Sequence, residues 1–198
     1  PGANHDLERA DFERVLKNVR ENDIVLIQNE ISNLKDLAEC LKEKGCFVVF
    51  NPAPVTEDIP EDLSFVSCLV VNEVEIEQLL KMKGSPKKLC RKWLRLYPGS
   101  SIVLTLSSNG SMYADRDGIL FMPAYKVDAV DTTGAGDTYT GYFCAMLDRG
   151  YGVEVAMRYA SIASALAVTK PGAASSIPNF ETVKEKIEQN EEVCPIRR

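Results

Sequence analysis

The stretch DTTGAGDTYTGYF, residues 131–143, sets two glycines and an alanine between two aspartates, then runs into an aromatic, helix-like segment. Glycine permits tight turns and close backbone approach but weakens a helix interior. Gly134, Ala135 and Gly136 are therefore expected ahead of a helix that begins near Asp137. A helix start offers N–H groups without intrahelical partners and the positive end of the peptide dipoles, a place to hold an anion. Negative charge building on a transferred phosphoryl group would be stabilised there, and a carboxylate at Asp137 could take the proton of an attacking hydroxyl. Anion hole plus base suits phosphoryl transfer to an alcohol. The plainer reading is a glycine turn followed by an aspartate that caps a helix.

These residues need a scaffold, and the rest of the chain reads as alternating strands and helices. DIVLIQ (23–28), CFVVF (46–50), SCLVV (67–71) and SIVLTL (101–106) are apolar runs of strand length. Leu34, Leu37, Ala38 and Leu41 repeat at helical spacing, with Ser32 as the expected N-cap and Gly45 as the stop. Helices are expected over 72–80, over 86–96 before Pro98-Gly99, from the opening motif to about Arg149, and over about 153–169 and 179–191. NPAP (51–54) is a loop, and residues 111–115 and 119–122 flank RDG as a hairpin. No internal repeat is present. The pattern predicts one α/β domain over 1–198, a doubly wound, mostly parallel sheet with helices on both faces. In such folds ligands bind beyond the carboxyl ends of strands, which here lead to Glu30, Asn51, Asn72 and the turn from Ser107 to Gly110.

The bulk numbers agree with a globular protein. The 198 residues are 45% hydrophobic and 26% charged, with net charge −6 and pI about 5.0, so no nucleic-acid partner is suggested overall. One segment departs from that average. KMKGSPKKLCRKWLR (81–95) holds Lys81, Lys83, Lys87, Lys88, Arg91, Lys92 and Arg95 without an acid, and reads first as a solvated helix face, second as a contact patch. The six cysteines form no CxxC pair and are expected reduced and mostly buried in a cytoplasmic protein. No signal peptide and no membrane-length apolar run is visible, and the chain opens on Pro1 rather than Met. His5 is expected to be an exposed loop residue, while Trp93 and the Tyr142–Phe143 pair are expected in the core.

Asp131 to Asp137, with Thr138 and Gly141, resemble the C-terminal signature of the ribokinase family of carbohydrate kinases. PGAN (1–4), QNE (28–30), NPAPV (51–55), NEVE (72–75), TLSSNG (105–110) and KPGAASSIP (170–178) follow in the order of that family, so the resemblance covers nearly the whole chain. NPAP followed by NEVE is more similar to its ribose-phosphorylating branch than to its adenosine kinases or phosphofructokinases.

The resemblance implies ATP-dependent phosphorylation of a sugar, D-ribose at its 5-hydroxyl, with other sugars or nucleosides as alternatives. Asp137 would be the base, Gly134, Ala135 and Gly136 the anion hole, and Glu30 a ligand of the sugar hydroxyls. Asn72 would lie near the nucleotide phosphates, and Glu75 would orient water around Mg²⁺. By their residue types alone, this pair is equally a helix cap with first-turn acids. Thr105, Ser107, Ser108, Gly110 and Ser161 match positions around the adenine nucleotide. The family usually has glycine where Ser107 stands, and a positive φ there would cost energy. Asp131, Thr133, Ala167, Lys170, Gly172 and Ser176 match a monovalent-cation site, K⁺ in this family, although KPGAASS also reads as a plain post-helix turn. Members of the family carry further chain before PGAN, with a glycine-rich sugar loop, a β lid and a homodimer contact. The chain is thus expected to be the C-terminal portion, its first strands and lid missing. That leaves a non-catalytic nucleotide-binding module as the rival reading.

Overall fold

The computed structural model describes residues 2–189 and 195–197. The chain divides into two compact units, one formed up to Leu104 together with Ala114–Arg116, the other by Thr105–Tyr113 and the chain from Asp117 onward.

In the first unit, α1 (Arg9–Leu16) leads to β1 (Ile24–Gln28), α2 (Leu34–Lys42), β2 (Phe47–Asn51), β3 (Cys68–Asn72), α3 (Glu73–Leu80), α4 (Pro86–Leu96) and β4 (Ser101–Thr105). The strands lie side by side in chain order. β1 pairs with β2 in parallel, Ile24 opposite Phe47 and Gln28 opposite Asn51, and β2 pairs with β3 in parallel, Val49 opposite Cys68. Parallel strands need crossover helices, and sheets covered on both faces read as continuous apolar runs. β3 is such a run: Cys68, Leu69, Val70 and Val71 are all buried.

Local chemistry explains the boundaries. α1 was not foreseen in the sequence. It is short, buries only Phe12 and Leu16, and starts with a Glu8–Asp11 capping box. α2 begins after Asn33, not Ser32, with Asn33 in the left-handed region at φ 58. The Ser32 hydroxyl instead donates to the Leu7 carbonyl, and asparagine tolerates that backbone region better than most residues. α4 runs over the expected residues with Pro86 in its first turn, where the missing N–H costs nothing. Trp93 is fully buried on α4, and its indole N–H reaches Ser100 Oγ and the Ser101 carbonyl, each at 3.2 Å.

The second unit holds most of β5 (Ser111–Asp115), β6 (Gly118–Met122), α5 (Ala135–Asp148), α6 (Val153–Ala167), α7 (Phe180–Gln189) and β7 (Ile196–Arg197). β6 and β7 pair antiparallel. α6 packs along α5. Its buried Ala156, Ala160, Ala163 and Ala167 let backbones approach closely, as the alanine-rich sequence implies. Phe180 at the start of α7 stacks on Tyr159 at 5.6 Å between ring centroids, and the Arg149 guanidinium lies 4.2 Å from its ring centre.

Cys40, Cys46, Cys68, Cys90 and Cys144 are free and buried; Cys194 lies outside the described residues. His5 is exposed at the end of a short turn. Among the described residues no helix is long and apolar enough to cross a membrane.

Candidate active site

The helix after the glycines starts two residues earlier than their sequence suggests. Gly134 is the N-cap of α5, Ala135 and Gly136 are its first two residues, and exposed Asp137 is the third. First-turn amides have no carbonyl four residues back to bind, so glycine weakens no intrahelical bond there. Gly134 sits at φ 73 and ψ 7, the left-handed region that glycine enters at no steric cost. A Cβ on Gly134 would lie 3.5 Å from Ala173, an ordinary contact, so backbone angle rather than space calls for glycine. The Asp137 carboxylate therefore belongs to the same turn as the amides that follow a side-chain-free cap.

The turn is held from several sides. Ser164 Oγ on α6 donates to the Ala135 carbonyl at 2.9 Å. Thr140 Oγ1 donates to the Gly136 carbonyl at 2.9 Å. One turn on, the Tyr139 and Ser111 hydroxyls share a buried bond of 2.8 Å, and the Tyr142 hydroxyl donates to the Pro178 carbonyl. Phe143 is fully buried. Thr138 Oγ1 is buried and has no partner among the described residues.

Beside this turn lies the loop after α6. Val130 N and Asp131 N donate to the Val168 carbonyl at 2.7 and 3.2 Å. The Asp131 carboxylate accepts Thr133 N on one oxygen and Gly172 N on the other, both at 2.9 Å. Those amides, Gly172 first, hold its pKa down at about 2. Gly172 takes φ 97, and a Cβ there would come within 2.6 Å of Ser175 Oγ. Ser176 is buried and its hydroxyl donates to the Ala173 carbonyl, while the Ala167 carbonyl accepts Lys170 N. Asp131, Thr133 and Gly172 are thus joined directly, and Ala167, Lys170 and Ser176 frame the same loop. Its donors are one ionised carboxylate and main-chain oxygens. Among the described residues no group of three or more His, Cys, Asp or Glu gathers to hold a metal ion.

The turn after β4 is the proposed nucleotide loop. Ser107, Ser108 and Asn109 form a single exposed turn closed by Leu106 N to the Gly110 carbonyl at 2.8 Å. Ser107 has φ 50, so the positive backbone angle anticipated from the family's glycine is present with a serine in its place. Gly110 is obligatory: at φ 106, a Cβ would fall 2.0 Å from the Met122 carbonyl oxygen. Ser161 is buried on α6, its hydroxyl directed to the Pro123 carbonyl at 3.4 Å.

Glu30, Asn72 and Glu75 belong to the first unit. Glu30 is exposed just past β1. Asn72 and Glu75 form a full capping box: Glu75 N donates to Asn72 Oδ1 at 2.9 Å, and the two Glu75 oxygens accept Asn72 N at 2.9 Å and Asn72 Nδ2 at 2.7 Å. The helix-cap reading is realised in every bond. A carboxylate offers about four acceptor sites, so capacity remains for a water molecule.

Sequence reasoning placed Asn51 just past a strand but gave no role to the side-chain amides around these residues. Gln28 Nε2 donates to Asn51 Oδ1 at 3.0 Å, and Asn51 Nδ2 donates to the Val70 carbonyl at 2.8 Å, tying together the carboxyl ends of β1, β2 and β3. Asn29, almost wholly buried, donates to the Pro54 carbonyl at 2.6 Å and to Thr56 Oγ1 at 2.9 Å. It fixes the loop that carries Glu30 to the loop after β2.

Residues 1–179 match the model of the pfkB family of carbohydrate kinases. The ribokinase of Lactococcus lactis is 32% identical over 193 residues, 96% of this chain and 62% of that protein. The deoxyribokinase of Salmonella typhi is 31% identical over 203 residues, 96% of this chain and 64% of that protein. Among solved structures, the ribokinase of Thermotoga maritima superposes with a TM-score of 0.82 at 33% identity, covering 95% of this chain and 63% of that one. The chain therefore spans a little under two thirds of the length of these three proteins, and it shares the α/β fold of the Thermotoga maritima structure. It belongs to the pfkB family of carbohydrate kinases.

Proposed function

We propose that the protein is an ATP-dependent sugar kinase that phosphorylates ribose at its 5-hydroxyl in the cytoplasm. The observation that carries this reading is Asp137 on the first turn of a helix capped by left-handed Gly134, a carboxylate beside amides that face no intrahelical carbonyl. Asp137 would accept the hydroxyl proton as that oxygen attacks the terminal phosphorus of ATP. The amides of the turn Gly134–Asp137 would stabilise the charge spreading over the transferred phosphoryl oxygens, with that of Ala135 released from the Thr132 carbonyl it meets at 3.2 Å. Glu30, on a loop pinned by Asn29, would bind sugar hydroxyls. Thr105, Ser107, Ser108 and Gly110 would bind the nucleotide, with Asn72 near its phosphates. Buried Ser161 would contribute to the wall behind the base rather than donate to it, since its hydroxyl is turned to Pro123.

Mg²⁺, which keeps several waters when bound, would screen the phosphate charge. Glu75 fits the role of holding one of those waters, because its two oxygens retain lone pairs beyond the capping box. K⁺ fits the loop of Asp131, Thr133, Ala167, Lys170, Gly172 and Ser176, whose carboxylate and carbonyl oxygens suit a weakly hydrated cation. A full-length homodimer remains part of this reading.

The substrate is the open part of the proposal, because a deoxyribokinase is as similar in sequence as the ribokinases are. Phosphorylation assays with ribose, deoxyribose, fructose and adenosine decide it. Turnover highest with a sugar other than ribose would replace the substrate. ATP binding by calorimetry without turnover on any acceptor would favour a non-catalytic nucleotide-binding module.

A further inference from the structure

A peptide group is rigid: the carbonyl of one residue and the N–H of the next lie in one plane. Whatever holds the Ala135 carbonyl therefore also aims the Gly136 N–H, and whatever holds the Gly136 carbonyl aims the Asp137 N–H. Both carbonyls are held by side-chain hydroxyls. Ser164 Oγ on α6 donates to the first and Thr140 Oγ1 to the second, each at 2.9 Å.

The two bonds differ in origin. Thr140 lies four residues past Gly136 on the same helix, where a threonine hydroxyl reaches that carbonyl by local geometry. A serine within a helix ordinarily does the same in its own helix. Ser164 instead crosses to α5, to a residue 29 positions earlier in the chain. Packing of α6 does not explain a hydroxyl at this position. Ala160 and Ala167, one turn to either side of it, are buried with no polar atom in their side chains. Neighbouring hydroxyls serve other places: Ser161 Oγ is turned to the Pro123 carbonyl, and Tyr139 meets Ser111.

We propose that Ser164 is a positioning residue for phosphoryl transfer, fixing and polarising through the Ala135 carbonyl the Gly136 N–H that faces the transferred group. This deepens the kinase reading above and rests on it. Ala135 N is turned to the Thr132 carbonyl at 3.2 Å. Gly136, the second residue of α5, has no carbonyl four residues back in the helix to bind, so its N–H is the first that the helix offers to an anion. A carbonyl that accepts a hydrogen bond makes the N–H across the same peptide a stronger donor, because bonds in series polarise one another. An N–H already aimed also needs no reorganisation at the moment of transfer. Ser164 acts through the backbone on charge that develops in the transition state, so its loss falls on kcat rather than on KM.

Nitrogen-15 amide spectra of the natural chain, Ser164→Ala, Ser164→Thr and Thr140→Val test this. Ser164→Ala should move the Gly136 amide proton upfield, and Thr140→Val should chiefly move that of Asp137. Ser164→Thr keeps a hydroxyl and should restore Gly136. Under titration with inorganic phosphate, Gly136 in Ser164→Ala should need about three- to tenfold more anion for half its shift, the worth of one hydrogen bond. With ATP and ribose, kcat should fall by a similar factor at unchanged KM, and Ser164→Thr should recover it. Should the natural chain turn over no acceptor, the spectra and the titration decide alone. A Gly136 resonance unmoved by Ser164→Ala, an unchanged phosphate midpoint, or a Ser164→Thr variant that behaves like Ser164→Ala overturns the proposal. Full turnover in Ser164→Ala beside a loss in Asp137→Asn overturns it alone. A natural chain whose Gly136 resonance ignores phosphate, or full turnover in Asp137→Asn, overturns the kinase reading and the proposal with it.

Discussion

Asp131 and Gly172, 41 residues apart in sequence, are joined by a carboxylate–amide hydrogen bond of 2.9 Å that ties the approach to the glycine–aspartate turn to the loop after α6. The bond depends on an ionised carboxylate, whose pKa is held at about 2, below the ordinary carboxylate value. A folded-state pKa depressed in this way contributes stability above the unfolded value, and that contribution is lost as pH falls through the folded value. The loop should therefore loosen between about pH 4 and pH 2. Asp131→Asn should lose stability at pH 7 and show a shallower further loss on acidification, measured by urea denaturation across that range. Parallel pH profiles for the two proteins would refute the link.

Asp137→Asn keeps the shape of the turn and removes the base. Turnover of the active kinase should fall by roughly 10²–10⁴, while the nucleotide affinity changes little. Steady-state kinetics with calorimetry on the same variant checks both halves. Near-normal turnover would remove Asp137 from proton transfer.

Two glycines should respond differently to alanine. Gly134→Ala makes only ordinary contacts with Ala173 at 3.5 Å but must hold φ 73, a left-handed cost of about 1–2 kcal/mol. Gly110→Ala adds a collision with the Met122 carbonyl, 2.0 Å from the new Cβ, and should cost more, roughly 3 kcal/mol or above. Denaturation midpoints at matched slope rank the two, and the reverse order would contradict the geometry.

Ser107→Gly should change stability little. Glycine removes the strain of φ 50, and it gives back about 0.4–1 kcal/mol through a freer unfolded chain. Ser107→Val, β-branched at the same angle, should destabilise clearly. If glycine stabilised by several kcal/mol, the turn would be more strained than its backbone shows.

The described thiols should be silent in the folded protein. Burial pushes Cys90 up to about 12 and Cys144 up to about 11, leaving almost no thiolate at neutral pH. A chromogenic disulfide reagent should label neither until denaturant is added; fast labelling of Cys90 in native buffer would mean that α4 opens.

Much of this architecture was legible because its signals are local. Leu34, Leu37, Ala38 and Leu41 are all buried, as helical spacing required, and Pro86 marked the start of α4. α1 escaped because its capping box uses Glu8 and Asp11 and only two of its residues reach the core. The start of α5 was misjudged by treating Ala135 and Gly136 as unfit for a helix, which holds for interiors and not for first turns. Asn51 was expected just past a strand, but the bonds that Asn29 and Asn51 make escaped for another reason. Their partners are Pro54, Thr56, Gln28 and Val70, brought near only by parallel pairing of the strands, and nothing in an asparagine's neighbours along the chain announces that.

The lone tryptophan turns one unit into an optical reporter. Trp93 is sealed in the first unit with its indole N–H on Ser100 and Ser101, so its emission should be blue-shifted and report that unit alone. Far-ultraviolet ellipticity, in contrast, sums the helices of both. Whether the two melting curves overlay would say whether these halves give way as one cooperative body or in succession.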